Sequence, residues 1–143
     1  MQKRMKLLKN QKGMTLVELL AVLVILGIIA AIAITLIGNV IEKSRDRANA
    51  NEALSIINAA KMAYSNSEYG QGSDKTDYDP NTATTFTYTM KELTAYLDAT
   101  KNNKFTVTFT KATGEWKISG HPGVKAVGET EAATEQKLKE FVD

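Results

Sequence analysis

The stretch "KGMTLVELLAVLVILG", residues 12–27, opens the longest apolar segment of this 143-residue chain and contains one carboxylate, Glu18. After it, residues 19–41 are 23 consecutive residues without a charged side chain. As an α-helix rising about 1.5 Å per residue they reach roughly 35 Å, whereas the hydrocarbon core of a bilayer is about 30 Å thick. This segment can therefore span a membrane. An ionised carboxylate near the bilayer centre costs about 2.5 to 3.5 kcal/mol, so Glu18 is expected to need a partner.

Charge is distributed unevenly along the chain. The first 13 residues carry five basic side chains and no acidic one: Lys3, Arg4, Lys6, Lys9 and Lys12. The remaining residues hold 13 basic and 16 acidic side chains, a net charge of −3. A basic flank before an apolar span keeps the N-terminus in the cytoplasm. We therefore expect everything after residue 41 to be extracytoplasmic.

The sequence contains no cysteine. Disulfides, a thiol nucleophile and a cysteine metal site are therefore excluded. The chain length allows one small domain besides the apolar segment, and we expect that domain to be held together by packing alone.

Beyond the span, the pattern predicts that the helix continues in amphipathic form. Apolar residues at helical spacing define what we term the apolar stripe: Ala50, Ala53, Leu54, Ile57, Ala60 and Tyr64. Charged residues lie on the opposite face. One helix is predicted from Met14 to about Ser67, 54 residues or roughly 80 Å, stopping near Gly70. Residues 70–84, rich in Gly, Asp and Pro, are predicted to form a loop.

The part that follows is predicted to contain a small antiparallel sheet. Alternating residues on either side of a turn at Thr113 and Gly114 indicate a β-hairpin. Its apolar positions are Phe105, Val107, Phe109, Trp116 and Ile118. An earlier strand carries Phe86 and Tyr88. A lone hairpin is marginal in water, so the apolar stripe is the expected cover, and Trp116 and the tyrosines are expected core residues.

Two short helices complete the predicted α+β fold. Thr89 and Glu92 form a capping-box signature for a helix through Leu97. Near the end of the chain, acidic residues come before basic ones: Glu129 and Glu131, then Lys137 and Lys139. A helix dipole favours this order, with acids near the N-terminus and bases near the C-terminus. Apolar residues there share one face: Leu138, Phe141 and Val142. These patterns predict a short terminal helix, with a mobile tail as the alternative.

The N-terminal half resembles a known family. A basic leader ending in glycine, the sequence "MTLVELL" and an apolar helix that becomes amphipathic are similar to bacterial type IV filament subunits, namely type IV pilins, pseudopilins and competence pilins. The resemblance covers residues 12–54 and is only architectural afterwards. It implies a pilin-like fold with a leader peptide (1–13), a transmembrane and filament-core helix (14–41), an amphipathic half of that helix (42–69) and a small β-rich head (70–143).

The resemblance implies roles for three residues. Gly13 would precede the bond cut by the prepilin peptidase, and Met14 would become the N-methylated first residue. Glu18 would pair with the terminal amine of a neighbouring subunit. Met14 replaces the more usual phenylalanine, and Thr35 stands where many relatives have proline. The absent cysteines and the predicted terminal helix indicate a Gram-positive-type subunit.

The implied function is that of a structural subunit of a type IV pilus, a polymer of copies of the chain itself. The other implied partners are the prepilin peptidase, an assembly ATPase, a membrane platform protein and, before assembly, membrane lipid. The chain would be a single-pass cytoplasmic membrane protein with its N-terminus inside, and then part of an extracellular pilus. A pseudopilin or competence pilin of a type II secretion or DNA-uptake system is the alternative.

No enzyme signature is recognisable: the sequence has no evident nucleophile with its base, metal cluster or phosphate loop, so we predict neither catalysis nor a cofactor. The net charge of −3 beyond the leader does not indicate a nucleic-acid binder. Adhesion and motility, as roles of such pili, are not decided by the sequence.

Two other interpretations of the apolar segment stay open. A basic start, an apolar run and "AIA" at residues 31–33 also occur in secretory signal peptides, although the amphipathic continuation would then be unexplained. An ordinary single-span anchor fits the hydropathy equally well but leaves Glu18 without a partner.

Two loop features have simpler explanations than a functional site. Asp74, Asp77 and Asp79 could contribute to a calcium site, but their spacing is not that of an EF-hand, so we expect a solvated loop and no metal. His121, the sole histidine, precedes Pro122 and Gly123, which suit the central positions of a type II turn. We expect His121 to be a turn residue without a catalytic or metal-binding role.

Overall fold

A computed structural model describes residues 2–70, 80–98 and 100–143, with side chains from residue 12 onward. Its helices are α1 (Gln2–Ser65), α2 (Met90–Leu93), α3 (Pro122–Ala126) and α4 (Glu135–Val142). Its strands are β1 (Thr85–Thr89), β2 (Thr106–Thr110), β3 (Glu115–Ser119) and β4 (Ala132–Thr134). The chain divides into two compact units, Met1–Glu42 and Lys43–Asp143, and α1 contributes to both. The predicted α+β, pilin-like layout is confirmed.

The first unit is helical and presents apolar side chains on all sides. Its large apolar residues from position 14 to 41 are each 52–71% exposed. The hydroxyl groups of Thr15 and Thr35 donate hydrogen bonds to the carbonyl oxygens of Lys12 and Ile32, at 3.0 and 2.8 Å. Among the described residues, one helix, Lys12–Ser65, is long and apolar enough to cross a membrane. A helix that is apolar all round requires lipid or protein around it.

The second unit is built on a four-stranded antiparallel sheet in the order β1-β2-β3-β4. The predicted hairpin is confirmed as β2 and β3, and the predicted earlier strand is β1. The register places Phe86 opposite Phe109 and Phe109 opposite Trp116, so the aromatic side chains share one face. The rings of Phe109 and Trp116 stack with centroids 4.4 Å apart.

The apolar stripe of α1 covers that face, as predicted. Ala50, Ala53, Ile57 and Ala60 are buried, and Leu54 and Tyr64 pack against the same core. The covered face is wider than predicted, because three further α1 residues are also buried: Ile56, Ala59 and Ala63. The Tyr64 ring meets the Phe109 ring edge-on at 5.0 Å. Trp116 is 8% exposed, which confirms it as a core residue.

Helix α1 ends at Ser65, slightly before the predicted end. Ser67 adopts a left-handed conformation with φ of 61°. The Ser67 and Glu68 N–H groups donate to the carbonyl oxygens of Tyr64 and Ala63, at 3.1 and 2.9 Å. This pattern is a Schellman motif, which satisfies carbonyl groups that the helix end leaves free.

Helix α2 begins directly after Thr89, as the capping box predicted, but it is shorter than predicted. The Thr89 N–H donates to Glu92 Oε2 at 2.7 Å. The helix ends at Leu93 instead of Leu97 and is followed by a turn, in which the N–H groups of Tyr96 and Leu97 both donate to the Leu93 carbonyl oxygen at 3.0 Å.

The predicted short terminal helix is confirmed as α4. Residues 132–134 form strand β4, which pairs with β3, and α4 begins only at Glu135 with Thr134 as its N-cap. Glu129 therefore precedes the helix, as does the neighbouring acid Glu131. Leu138 is fully buried and Val142 packs on the core, whereas Phe141 is 37% exposed. A three-residue strand has too little local signal to be predicted without its partner strand.

The predicted type II turn at His121 was wrong. His121 is the N-cap of α3, with Pro122 as the first helical residue, where the φ fixed by proline suits a helix. Gly123 allows α3 to approach α1 closely, since a Cβ atom there would lie 2.6 Å from the Asn49 carbonyl oxygen and 2.9 Å from Ala53 Cβ.

We expect Gly123→Ala to lower the free energy of unfolding of the second unit by about 1 to 3 kcal/mol through overpacking against α1. The change can be measured by thermal or denaturant unfolding of the full chain in detergent. Lys125→Ala, at an exposed position of the same helix, is the control and should change stability by less than about 0.5 kcal/mol. Equal stability of the two variants would contradict the close approach.

Candidate functional site

The three residues singled out in the N-terminal segment lie on α1 in the first unit. Gly13, Met14 and Glu18 are all exposed, with Met14 at 65%. A Cβ atom at Gly13 would meet nothing within 4 Å. The backbone around Gly13 is helical, so the predicted leader continues directly into the apolar segment. The side chains of the four earlier basic residues lie outside those described: Lys3, Arg4, Lys6 and Lys9.

Glu18 follows Met14 by four residues, which places the two on one face of the helix. Among the side chains that the structure describes, none forms an ion pair with Glu18. In this arrangement a carboxylate stands one helical turn from Met14, at the edge of a surface that is otherwise apolar. Cleavage after Gly13 would leave an α-amine one turn from this carboxylate.

The second unit contains a partly buried ion-pair network between α1 and α4. Glu135 Oε1 lies 2.6 Å from Lys61 Nζ and 2.7 Å from Lys139 Nζ. Burial raises the pKa of Glu135, but the hydrogen bonds and charges of Lys139 and Lys61 outweigh burial, so the pKa lies below its ordinary value. The network links two elements that are far apart in sequence, so no local sequence pattern indicates it.

His121 also belongs to a polar contact that was not predicted from the sequence. Its ring is 3% exposed, and its Nδ1 accepts a hydrogen bond from the Gly123 N–H at 3.0 Å. Nε2 lies 3.6 Å from Glu52 Oε2 on α1. Burial lowers the pKa of His121, and Glu52 offsets part of this shift. The His-Pro pair could have signalled a helix N-cap, but nothing local indicates contact with Glu52.

The polar groups of the described residues were compared with the requirements of a metal site. Within residues 12–70, 80–98 and 100–143, no group of three or more His, Asp or Glu side chains is placed to hold a metal ion. The acids of the candidate calcium loop, Asp74, Asp77 and Asp79, lie outside the described residues. His121 uses one ring nitrogen as a helix cap and has a buried ring, which is a structural arrangement.

Comparison with known families places a match in the N-terminal segment. Residues 8–34 match the family model described as the prokaryotic N-terminal methylation motif. The matched region is 27 of 143 residues and contains Gly13, Met14 and Glu18 together with most of the apolar segment. Searches of curated proteins and of solved structures find no match to the chain. The identified family pattern thus lies in the N-terminal segment.

We expect Glu135→Gln to lower the free energy of unfolding of the second unit by about 1 kcal/mol near neutral pH. The folded-state pKa of Glu135 is depressed, so its contribution is present above the unfolded value of 4.5 and is lost as the pH falls through the folded value. The variant should therefore lose less stability on acidification than the wild type. Unfolding curves from about pH 7 to about pH 3 measure both effects. Glu140→Gln, exposed on the same helix, is the control; equal losses in both variants would contradict the role of the network.

Proposed function

We propose that this chain, which carries the N-terminal methylation signal of a type IV pilin-like prepilin, is a structural subunit of a type IV pilus. The observation that supports this most directly is the methylation-motif match over residues 8–34, which includes Gly13, Met14 and Glu18. In this proposal residues 1–13 are the leader and 14–41 form the filament core. Residues 42–69 and 70–143 form the subunit's surface domain. The absence of cysteine supports a Gram-positive type.

The first proposed step is processing by the prepilin peptidase. The enzyme cuts between Gly13 and Met14 and methylates the new amine of Met14. Exposure of both residues and the absence of a side chain at position 13 are compatible with access by a peptidase. The basic leader keeps this bond on the cytoplasmic side of the membrane.

The second proposed step is assembly, in which Glu18 specifies the register. An α-amine has an ordinary pKa of about 8, so the new terminus of a neighbouring subunit is mostly cationic and can pair with this carboxylate. Desolvation offsets much of the attraction between a buried pair, but a buried charge without a partner costs about 3 to 5 kcal/mol. A subunit in the wrong register incurs this penalty, so the pair selects the correct one.

In the proposed filament, the apolar side chains of the first unit form the filament core. They are surrounded by lipid before assembly and by the helices of other copies afterwards. Small residues on the helix allow close approach between copies: Ala21, Gly27, Ala30, Ala31 and Ala33. Moving a spanning helix out of lipid requires work, which we assign to an assembly ATPase and a membrane platform protein. The mature subunit is then extracellular, on the cell surface.

A pseudopilin or competence pilin, which forms a shorter fibre, is the second candidate. The same processing signal and the same long helix are compatible with it. The length of the filaments that cells assemble from this chain separates the two: long surface pili support the first proposal, and short envelope-spanning fibres support the second.

The proposal predicts the N-terminus of the protein recovered from cells. We expect a chain that starts at Met14 and carries one additional methyl group, detectable by intact mass and N-terminal peptide analysis. Gly13→Leu should leave the leader attached. A wild-type chain that starts at Ile34 would indicate a secretory signal instead, and one that retains residues 1–13 in processing-competent cells would indicate a plain membrane anchor.

A second prediction concerns Glu18. We expect Glu18→Ala to be cleaved normally but to assemble poorly, since an unpaired amine in the core costs about 3 to 5 kcal/mol, a factor of more than about 100 in equilibrium. Sheared filaments are quantified against total processed subunit. Glu18→Asp, which keeps the charge, is the matched control and should retain more assembly than the alanine variant. A normal filament yield from Glu18→Ala would exclude the pairing argument.

A further inference from the structure

The His121 side chain combines three features that make the attachment of α3 dependent on protonation. The ring is buried, its Nδ1 is the sole described acceptor for the Gly123 N–H, and its Nε2 has no hydrogen-bond partner among the described residues. Since Nδ1 accepts a hydrogen bond, the neutral ring carries its proton on Nε2. That N–H faces Glu52 Oε2 at 3.6 Å.

A second proton can only go to Nδ1, which is the capping atom. Once protonated, Nδ1 becomes a donor and faces another donor, the Gly123 N–H. The cap is then lost, and the N-terminus of a five-residue helix has one more unsatisfied N–H group. Loss of an N-cap destabilises helices generally, and a five-residue helix has few other backbone hydrogen bonds to compensate for it.

We propose that protonation of His121 controls the attachment of α3: addition of one proton at Nδ1 removes the cap and loosens residues 120–130 from the part of α1 that belongs to the second unit. This segment connects β3 to the edge strand β4, so its release changes one side of the second unit while the β1–β3 core stays folded. The inference concerns the second unit alone and does not depend on the proposed pilus function.

The charged surroundings identify Glu52 as the group that favours protonation of His121 and therefore release. The depression beside His121 is also lined by Lys125 of α3 and by Glu131, which precedes β4. Glu52 lines a second depression with Arg45, Asp98 and Lys101.

Of these charged groups, only Glu52 acts on the pKa of His121; it raises the value that burial lowers more strongly. The net pKa lies below the ordinary 6.5, so the neutral, capped form is the stable one at neutral pH. The folded-state pKa of His121 thus lies below its unfolded-state pKa. The stability that the neutral ring contributes is therefore fully present above the unfolded-state pKa, and it is lost as the pH falls from that value through the folded-state pKa.

Hydrogen exchange on the full chain in detergent micelles tests the proposal. Exchange of peptides covering residues 120–130 is followed by mass spectrometry from about pH 7.5 to about pH 4 and corrected for intrinsic rates. We expect protection there to fall by about tenfold or more on acidification, while peptides in β2 and β3 keep theirs. The midpoint should lie below the ordinary value of 6.5.

Two variants separate this mechanism from general acid unfolding. In His121→Asn the amide oxygen supplies a cap that does not titrate in this range, so protection of residues 120–130 should not fall selectively. In Glu52→Gln the carboxylate that favours protonation is gone, so the midpoint should move to lower pH.

The proposal is overturned by unchanged protection of α3 in the wild type, or by an acid-induced loss that persists in His121→Asn. If His121→Asn lacks protection already at neutral pH, the Glu52→Gln variant decides the question. An unchanged midpoint in that variant overturns the proposal, and a lowered midpoint supports it.

Discussion

Burial of the apolar stripe of α1 against one face of the sheet is the interaction on which the second unit depends. Ile56 and Ile57 are fully buried on the helix side, and Phe86, Tyr88 and Ile118 are fully buried on the sheet side. Each large side chain buried in this way stabilises the fold by about 1.5 to 3 kcal/mol relative to exposure. Since the sequence contains no cysteine, this contact stabilises the second unit without covalent cross-links.

Small residues on the helix make that contact close. Four alanines of α1 lie in the interface and leave room for the aromatic side chains of the sheet: Ala50, Ala53, Ala60 and Ala63. Gly123 does the same on the α3 side, where even a methyl group would overlap the backbone of α1. The packing therefore relies on size complementarity along a single helix. Residues of the sheet, α3 and α4 belong to the same hydrophobic core as the buried residues of that helix.

The two units differ in what covers their apolar surfaces, and this difference is the physical basis of the proposed function. The second unit covers its apolar face with its own chain. The first unit has large apolar residues that are more than half exposed on every side, so they require other molecules around them. Lipid can supply that cover, and so can identical helices. This division is compatible with the proposed membrane-inserted precursor that later polymerises, in which we propose that Glu18 pairs with a neighbouring subunit.

The sequence by itself determined the features that are encoded locally along the chain: the uncharged run, the basic N-terminal segment, the apolar stripe, the β2–β3 hairpin and the capping box at Thr89. Periodicity and turn chemistry encode these features, because each depends on residues only a few positions apart. The methylation signal is likewise a contiguous pattern, which explains why it was recognisable while its surroundings were not.

Tertiary structure alone decided the remaining features. Strand β4 forms because β3 offers it a partner, and α3 exists where a turn was predicted because His121 caps it and Gly123 allows it to pack on α1. The contacts of His121 with Glu52 and of Lys61 with Glu135 join residues about 70 positions apart. The energies of these contacts depend on burial and distance in the folded chain, which the local order of residues does not specify.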